Sequence, residues 1–181
     1  KSVLQRAKKQ GAIISFDPNI RLPLWNSVET CQETVREFLP YADLIKLSDE
    51  ECFFVTGKHA ILDAANWLFD QGCKMLLYSM GKEGAMILTP HTTCHIENLE
   101  VRVKDTTGAG DAIIGAYLYC LAKNNISVTQ LASCKLEEIQ EWLTFAVYYA
   151  NYSITKSGAI ASYPDYTTFL NWMQEKRKKI H

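Results

Sequence analysis

Seven residues constrain this chain more than any other feature: Asp105-Thr106-Thr107-Gly108-Ala109-Gly110-Asp111 runs without a break into the apolar stretch Ala112-Ile113-Ile114-Gly115-Ala116-Tyr117-Leu118. The preceding Leu99–Val103 alternates like a strand, which predicts the glycines at a strand-to-helix junction and Asp111 in the first helical turn. The first N–H groups of a helix lack intrahelical partners and lie at the positive end of its dipole. Gly108 and Gly110 can take up conformations closed to other residues and place no side chain over these amides, so the amides can converge on an anion. Beside such a hole, the Asp111 carboxylate is placed to accept a proton from an attacking hydroxyl. Donors for a transferring group next to a base for the nucleophile suit phosphoryl transfer, a reaction carried by positioning and electrostatics.

Each residue of the string also has a plain structural use. Asp, Thr and Gly are common in loops and at N-caps, and a first-turn carboxylate gains about 0.3–1 kcal/mol from the dipole whether or not it does chemistry. Taken as a whole, the string fits the functional reading better. Spacing excludes two other glycine loops. A dinucleotide fingerprint starting at Gly108, as in an NAD-binding oxidoreductase, needs a third glycine where Ile113 stands, and a P-loop needs a Gly-Lys-Ser/Thr ending that is absent.

The string resembles the C-terminal signature of the PfkB, or ribokinase-like, family of carbohydrate kinases. A second segment, Phe16-Asp17-Pro18-Asn19-Ile20-Arg21-Leu22-Pro23-Leu24-Trp25, is similar to one that fructokinases and 2-keto-3-deoxygluconate kinases carry after a central strand, and the similarity runs to about Pro164. The resemblance implies ATP-dependent phosphorylation of a sugar hydroxyl, with magnesium (Mg2+) bridging the phosphates. Asp111 would be the base, and Gly108, Ala109 and Gly110 the anion hole. Fructokinase is the leading case. A 2-keto-3-deoxygluconate kinase and a nucleotide-binding relative without catalysis are the alternatives. Family members are longer, with early sheet strands, a glycine-rich sugar signature and a β-sheet lid at the N-terminal side. None of these is in residues 1–181, which are therefore expected to form the C-terminal part of the kinase domain, with its nucleotide and catalytic-base portion, inactive alone. The resemblance leaves room for a homodimer of the full-length protein.

Further site residues follow from the same resemblance. Asp17, Asn19 and Arg21 would face the sugar and the phosphoryl path, where the planar Arg21 fork suits an anionic group; on their own they read as an Asp-Pro-Asn turn with a surface arginine. Ser48 and Glu51 stand where the family often has Asn-x-x-Glu at the phosphate and magnesium end. Ser48 replaces the asparagine, and a capping box explains both residues without a ligand. Ser79-Met80-Gly81-Lys82-Glu83-Gly84 is similar to the small-residue turn that follows the nucleotide, and Thr106 would lie beside it. Thr155–Ala159, with Gly158, looks like the loop flanking the adenine. In members activated by a monovalent cation such as K+, that loop supplies carbonyls together with Asp105 and Thr107. Val147 stands on the nucleotide side where relatives often carry Asn or His, and Tyr148, Tyr149 and Asn151 replace mostly small residues. Tyrosines at this spacing are more often helix-packing surface than a base-stacking platform.

Composition narrows the setting. With 181 residues, 48% of them hydrophobic, the chain can bury one sizeable α/β core. A formal net charge of −1 gives no general attraction for nucleic acid or membrane, and the basic cluster Lys176-Arg177-Lys178-Lys179 suits the dipole of a last helix. No apolar run approaches the ~18 residues of a spanning helix. Six cysteines without a Cys-x-x-Cys pair or histidines at ligand spacing predict buried, reduced thiols, no zinc site and a cytoplasmic location.

Strands alternate with helices along the chain, predicting a mainly parallel sheet with helices on both faces and an antiparallel tail. Expected strands are 12–16, 43–47, 75–78, 85–88, 93–96 and 99–103. Expected helices cover 1–10, a stretch capped by Asn26 with Glu29 that runs to about 39, a short one opened by Ser48 and closed near Gly57, 60–72, one from Asp111 to about 123, 136–155, and one capped by Asp165.

Overall fold

The computed structural model describes residues 1–180, leaving out the side chains of Arg177, Lys179 and Ile180. The expectation for the basic cluster 176–179 thus lies partly outside the described residues. Five strands form one mixed sheet in the order of the chain: β1 (Ser15–Phe16), β2 (Leu44–Ser48), β3 (Met75–Ser79), β4 (Ala85–Leu88) and β5 (Thr93–Ile96). The first three are parallel neighbours, and β4 and β5 turn back as the antiparallel tail. Around the sheet lie α1 (Ser2–Lys9), α2 (Val28–Phe38), α3 (Asp49–Thr56), α4 (Ile61–Asp70), α5 (Ala109–Lys123), α6 (Leu136–Ser153) and α7 (Tyr166–Ile180).

The period-two alternation of a strand explains how one short apolar run serves two cores. Leu44, Met75, Leu77, Ala85 and Ile87 point to the face covered by α5 and α6. Ile45, Leu47, Leu76, Tyr78 and Leu88 point to the face covered by α2, α3 and α4. Burying each large side chain of these sets contributes about 1.5–3 kcal/mol. On the outer side, α7 seats Phe169 edge-on against Phe145 and Tyr149, with centroids 5.0 and 5.1 Å apart. Tyr149 is accordingly packing surface, its hydroxyl donating to the Pro164 carbonyl at 3.1 Å. All six cysteines are buried free thiols, and burial pushes those of Cys73 and Cys120 up to about 12.

Local signals set the helix ends. Ser48 and Glu51 form the expected capping box, and Gly57 closes α3 in the left-handed conformation with φ 70°. Asp165 caps α7 by accepting the Thr168 N–H at 3.0 Å. The cap of α2 is Ser27 rather than Asn26. Ser27 has the extended backbone an N-cap needs, and its hydroxyl accepts the Thr30 N–H at 3.1 Å.

The segment Leu99–Val103 is the main departure from expectation, since it pairs with no strand among the described residues. Its alternation has no second sheet to serve: Val103 is exposed, and the following Lys104 and Asp105 N–H groups both donate to the Ile154 carbonyl at the end of α6, at 2.8 and 3.2 Å. The glycine loop therefore follows an irregular connector tied to α6, not a strand. β1 is also shorter than expected: the Ile14 N–H donates to the Asp43 side chain at 3.0 Å instead of to a β2 carbonyl, while the Ile14 carbonyl accepts the Asp43 and Leu44 N–H groups at the head of β2.

Candidate active site

Asp17, Ser48 with Glu51, and Ser79–Gly84 follow the carboxyl ends of β1, β2 and β3, which is where ligands bind in an open parallel sheet. In the loop after β1, Asn19 adopts the left-handed conformation (φ 43°), which asparagine tolerates better than most residues. The next N–H, of Ile20, donates to Glu51 Oε1 at 3.0 Å, while Glu51 Oε2 accepts the Ser48 N–H at 2.8 Å. Glu51 thus pins the Asp-Pro-Asn loop to the head of α3. Burial raises the pKa of its carboxyl, but the two backbone donors and the nearby Lys46 outweigh that, leaving it lowered overall. Arg21 is exposed, with its guanidinium folded back on the Ile20 carbonyl at 2.9 Å.

At the head of α5, Gly108 is the N-cap, in the left-handed conformation at φ 78°. A Cβ there would lie 2.6 Å from the Tyr163 hydroxyl, which donates to the Gly108 carbonyl at 2.9 Å. The Ala109 N–H, expected in the anion hole, is turned instead to the Thr106 carbonyl at 3.1 Å, whereas among the described residues the N–H groups of Gly108, Gly110 and Asp111 have no partner. Gly110, expected in a glycine-only conformation, is helical instead. What its missing side chain provides is room: a Cβ there would sit 3.1 Å from Lys46 Nζ. Asp111 is exposed in the first turn, at one end of an open apolar cleft of about 300 Å³ lined also by Gly115, Tyr119, Tyr149 and Tyr163.

Lys46 is the residue that sequence reasoning missed. It lies in mid-strand on the α5 side and is only 6% exposed. Its ammonium is 3.3 Å from Asp17 and 3.9 Å from Glu51. Burial raises the Asp17 pKa, the Lys46 charge opposes this and the Glu51 charge adds to it, for a net rise. The available signal was a lysine inside the otherwise apolar run Leu44-Ile45-Lys46-Leu47.

On the other flank, neutral groups set the geometry. Gly81 and Gly84 both have positive φ, and Gly84 is packed so closely that a Cβ would meet the Ile96 carbonyl oxygen at 2.0 Å. Asn98 donates to the Gly81 carbonyl at 2.7 Å and accepts from Asn151 at 2.9 Å; the Asn151 amide also donates to the Val147 carbonyl at 2.5 Å. This relay ties the Ser79–Gly84 turn to α6, with the buried Asn151 Oδ1 left without a partner among the described residues. Val147, expected beside the nucleotide, is 1% exposed and packs in the α5–α6 core with Leu143 and Ala146.

Asp105 joins the glycine loop to the loop before α7. One oxygen accepts the Thr107 N–H at 2.9 Å and the other the Gly158 N–H at 2.8 Å. Hydrogen bonds from the Thr107 side chain and from both backbone groups hold the Asp105 carboxyl down at about 2. Among the described residues, no three carboxylate, histidine or cysteine side chains converge as a metal cage. No helix among them is long and apolar enough to cross a membrane.

The chain is similar to proteins named fructokinase. Fructokinase-2 of Solanum habrochaites is 35% identical over 162 residues, 89% of this chain and 48% of that protein. The probable chloroplastic fructokinase-6 of Arabidopsis thaliana is 37% identical over 165 residues, 90% of this chain and 42% of that protein. The chain therefore spans about half the length of the curated relatives it matches. Among solved structures, a fructokinase with bound ATP from Xylella fastidiosa has a TM-score of 0.89 at 27% identity, covering 97% of this chain and 56% of that one. The fold is thus the ribokinase-like α/β fold. Described as pfkB family carbohydrate kinase, the matching family takes in residues 1–166, hence the whole sheet and both loops that Asp105 joins, and the chain belongs to it.

Proposed function

We propose that this protein transfers the γ-phosphoryl group of ATP to a hydroxyl of fructose. The observation that carries the reading is the head of α5, where three N–H groups unpartnered among the described residues and the Asp111 carboxylate sit together in one helical turn. Asp111 accepts the proton of the attacking hydroxyl as its oxygen bonds to phosphorus and the bond to ADP breaks. The Gly108, Gly110 and Asp111 amides hold the charge of the transferring group, at the positive end of a 15-residue helix. Asp17, Asn19 and Arg21, in the loop held by Glu51, face the sugar and the phosphoryl path. Thr106, the Ser79–Gly84 turn and the Gly158 loop follow the nucleotide.

Magnesium, bound with the nucleotide, supplies charge neutralisation of the phosphates. It keeps several waters and takes few protein ligands, which fits a site without a carboxylate cage; the Glu51 oxygens are already engaged by backbone donors and would reach it through water. The Asp105 bridge between the 105–107 and 158 segments is the natural frame for a potassium ion held by loop carbonyls. Buried, high-pKa thiols suit a reducing cytoplasm. We further propose that the complete protein forms a homodimer.

The relatives named fructokinase favour fructose over 2-keto-3-deoxygluconate. The test is kcat/KM for both substrates with ATP, using protein expressed from the complete reading frame. Fructose is expected to be preferred; a preference for the acid above about tenfold, which is about 1.4 kcal/mol, overturns the sugar assignment and leaves the phosphoryl-transfer chemistry standing.

A further inference from the structure

We propose that Tyr163 is a positioning residue for the transfer: its hydroxyl clamps the Gly108 carbonyl and so fixes the amides and the carboxylate at the head of α5 before the reacting groups arrive. The proposal rests on the phosphoryl-transfer reading above. Tyr163 is 55 positions from Gly108 in the chain, in the connection between α6 and α7, and lines the same cleft as Asp111.

The clamp closes on a peptide group held at both ends. The Gly108 carbonyl accepts the Ala112 N–H at 2.8 Å, the first bond of α5, and the Tyr163 hydroxyl at 2.9 Å. A carbonyl oxygen has two lone pairs, so both are engaged. At the other end of that peptide, the Ala109 N–H donates to the Thr106 carbonyl at 3.1 Å. Gly108 would otherwise be the loosest point of the string, because glycine moves between left-handed and right-handed backbone at little cost. The missing side chain is also what admits the clamp. A Cβ on Gly108 would lie 2.6 Å from the Tyr163 hydroxyl oxygen and 3.0 Å from the Ala159 Cβ, so the 159–163 segment fills the space that glycine leaves.

The tyrosine is itself fixed. The Ser162 N–H and hydroxyl both donate to the Ala159 carbonyl, at 3.0 and 2.6 Å, and the Tyr163 N–H donates to the Ile160 carbonyl at 3.2 Å. Its ring lies beside that of Tyr149, with centroids 6.2 Å apart, and Tyr149 in turn donates to the carbonyl of the next residue, Pro164. Burial first, and then the Asp111 charge, push the Tyr163 hydroxyl up in pKa, so it keeps its proton and stays a donor. With the Asp105 to Gly158 bond at 2.8 Å, the clamp ties both ends of the 105–108 loop to the 158–163 segment.

Packing alone does not ask for the hydroxyl, since phenylalanine would place the same ring beside Tyr149. What the hydroxyl adds is preorganisation. Donors fixed in advance need no rearrangement when charge develops on the transferring group, and a base one turn further on keeps its direction. Without the clamp, Gly108 is free to leave the left-handed conformation, and the Gly110 and Asp111 groups lose their register. The loss falls on the transfer step rather than on nucleotide binding, because the Ser79–Gly84 turn and the Gly158 loop do not depend on this hydroxyl.

The test compares wild type with Tyr163→Phe, both from the complete reading frame; phenylalanine keeps the ring, so the variant should fold. Two readings are taken: kcat and the KM for ATP with fructose, and hydrogen exchange of the Ala112 amide against that of Ala146 in α6, by NMR with alanine-selective 15N labelling. Tyr163→Phe is expected to lower kcat about tenfold, the size of one lost hydrogen bond, with the KM for ATP within about threefold of wild type. Ala112, whose partner is the clamped carbonyl, should exchange about tenfold faster relative to Ala146. A general loss of stability would speed both amides alike and leave that ratio unchanged. A kcat within about twofold of wild type, a rise in KM at constant kcat, or an unchanged exchange ratio each overturns the role of Tyr163. A wild type that binds ATP but phosphorylates no sugar strikes the proposed function instead, while the exchange ratio still judges the clamp.

Discussion

The two flanks of the candidate site are held by different physics. Around Lys46, Asp17 and Glu51, a buried ammonium 3.3 and 3.9 Å from two partly buried carboxylates, one of them with two backbone donors, fixes the proposed phosphoryl side. Around Gly81 and Gly84, a neutral amide relay from Asn151 through Asn98 and a glycine pressed against the Ile96 carbonyl fix the turn proposed to follow the nucleotide. Charged groups respond to what reacts, whereas backbone and amide contacts fix where a ligand lies. Substitutions on the first flank should therefore appear in kcat, and those on the second in stability and ATP affinity.

The largest expected effect lies on the Gly81–Gly84 flank. A Cβ on Gly84 would lie 2.0 Å from the Ile96 carbonyl oxygen and 2.9 Å from the Glu97 Cα, both backbone atoms, at φ 98°. Gly84→Ala should destabilise the protein by about 3–5 kcal/mol or prevent folding, read from the urea midpoint. Gly108→Ala meets the movable end of Tyr163 at 2.6 Å and Ala159 at 3.0 and 3.2 Å, at φ 78°, so it should destabilise the protein less than Gly84→Ala and lower kcat in addition. If both glycines behaved alike, the contrast between the flanks would be wrong.

A smaller effect is expected from Asn151→Leu, which breaks the amide relay. The KM for ATP should rise about tenfold, the size of one lost positioning hydrogen bond, with kcat nearly unchanged. A fall in kcat at constant KM would place Asn151 with the chemistry rather than with the nucleotide.

The smallest effect concerns the link between the flanks. The Asp105 carboxyl is held at about 2, below its ordinary 3.8, so the folded state binds its proton less tightly than the unfolded state. Its contribution to stability is then present above about pH 4 and lost as pH falls through about 2. The Tm of wild type should exceed that of Asp105→Asn at about pH 5 and converge on it toward about pH 2. A gap that stays constant over that range would show that the carboxylate charge does not hold the two loops together.

How much of this was legible in the sequence depended on how local each cause is. The capping box of Ser48 and Glu51 and the glycine turn at the head of α5 are decided within a few residues, and both were readable. The alternation of Leu99–Val103 was readable too, but a strand needs a partner, and the backbone donors that follow it go to Ile154 instead. Lys46 was passed over because its meaning comes from Asp17, Glu51 and Gly110, which are brought together only by the sheet. Gly110 was read as a conformational glycine for the same reason: the side chain that needs its space is 64 positions away in the chain (110 − 46).

The central claim is that Asp111 is the base of a phosphoryl transfer. Asp111→Asn, in protein expressed from the complete reading frame, keeps the shape and removes the proton acceptor. The account predicts a loss in kcat of about 10²–10⁴-fold with fructose, while the ATP dissociation constant measured by calorimetry stays within about threefold of wild type. A folded variant that keeps more than about a tenth of wild-type kcat would contradict it.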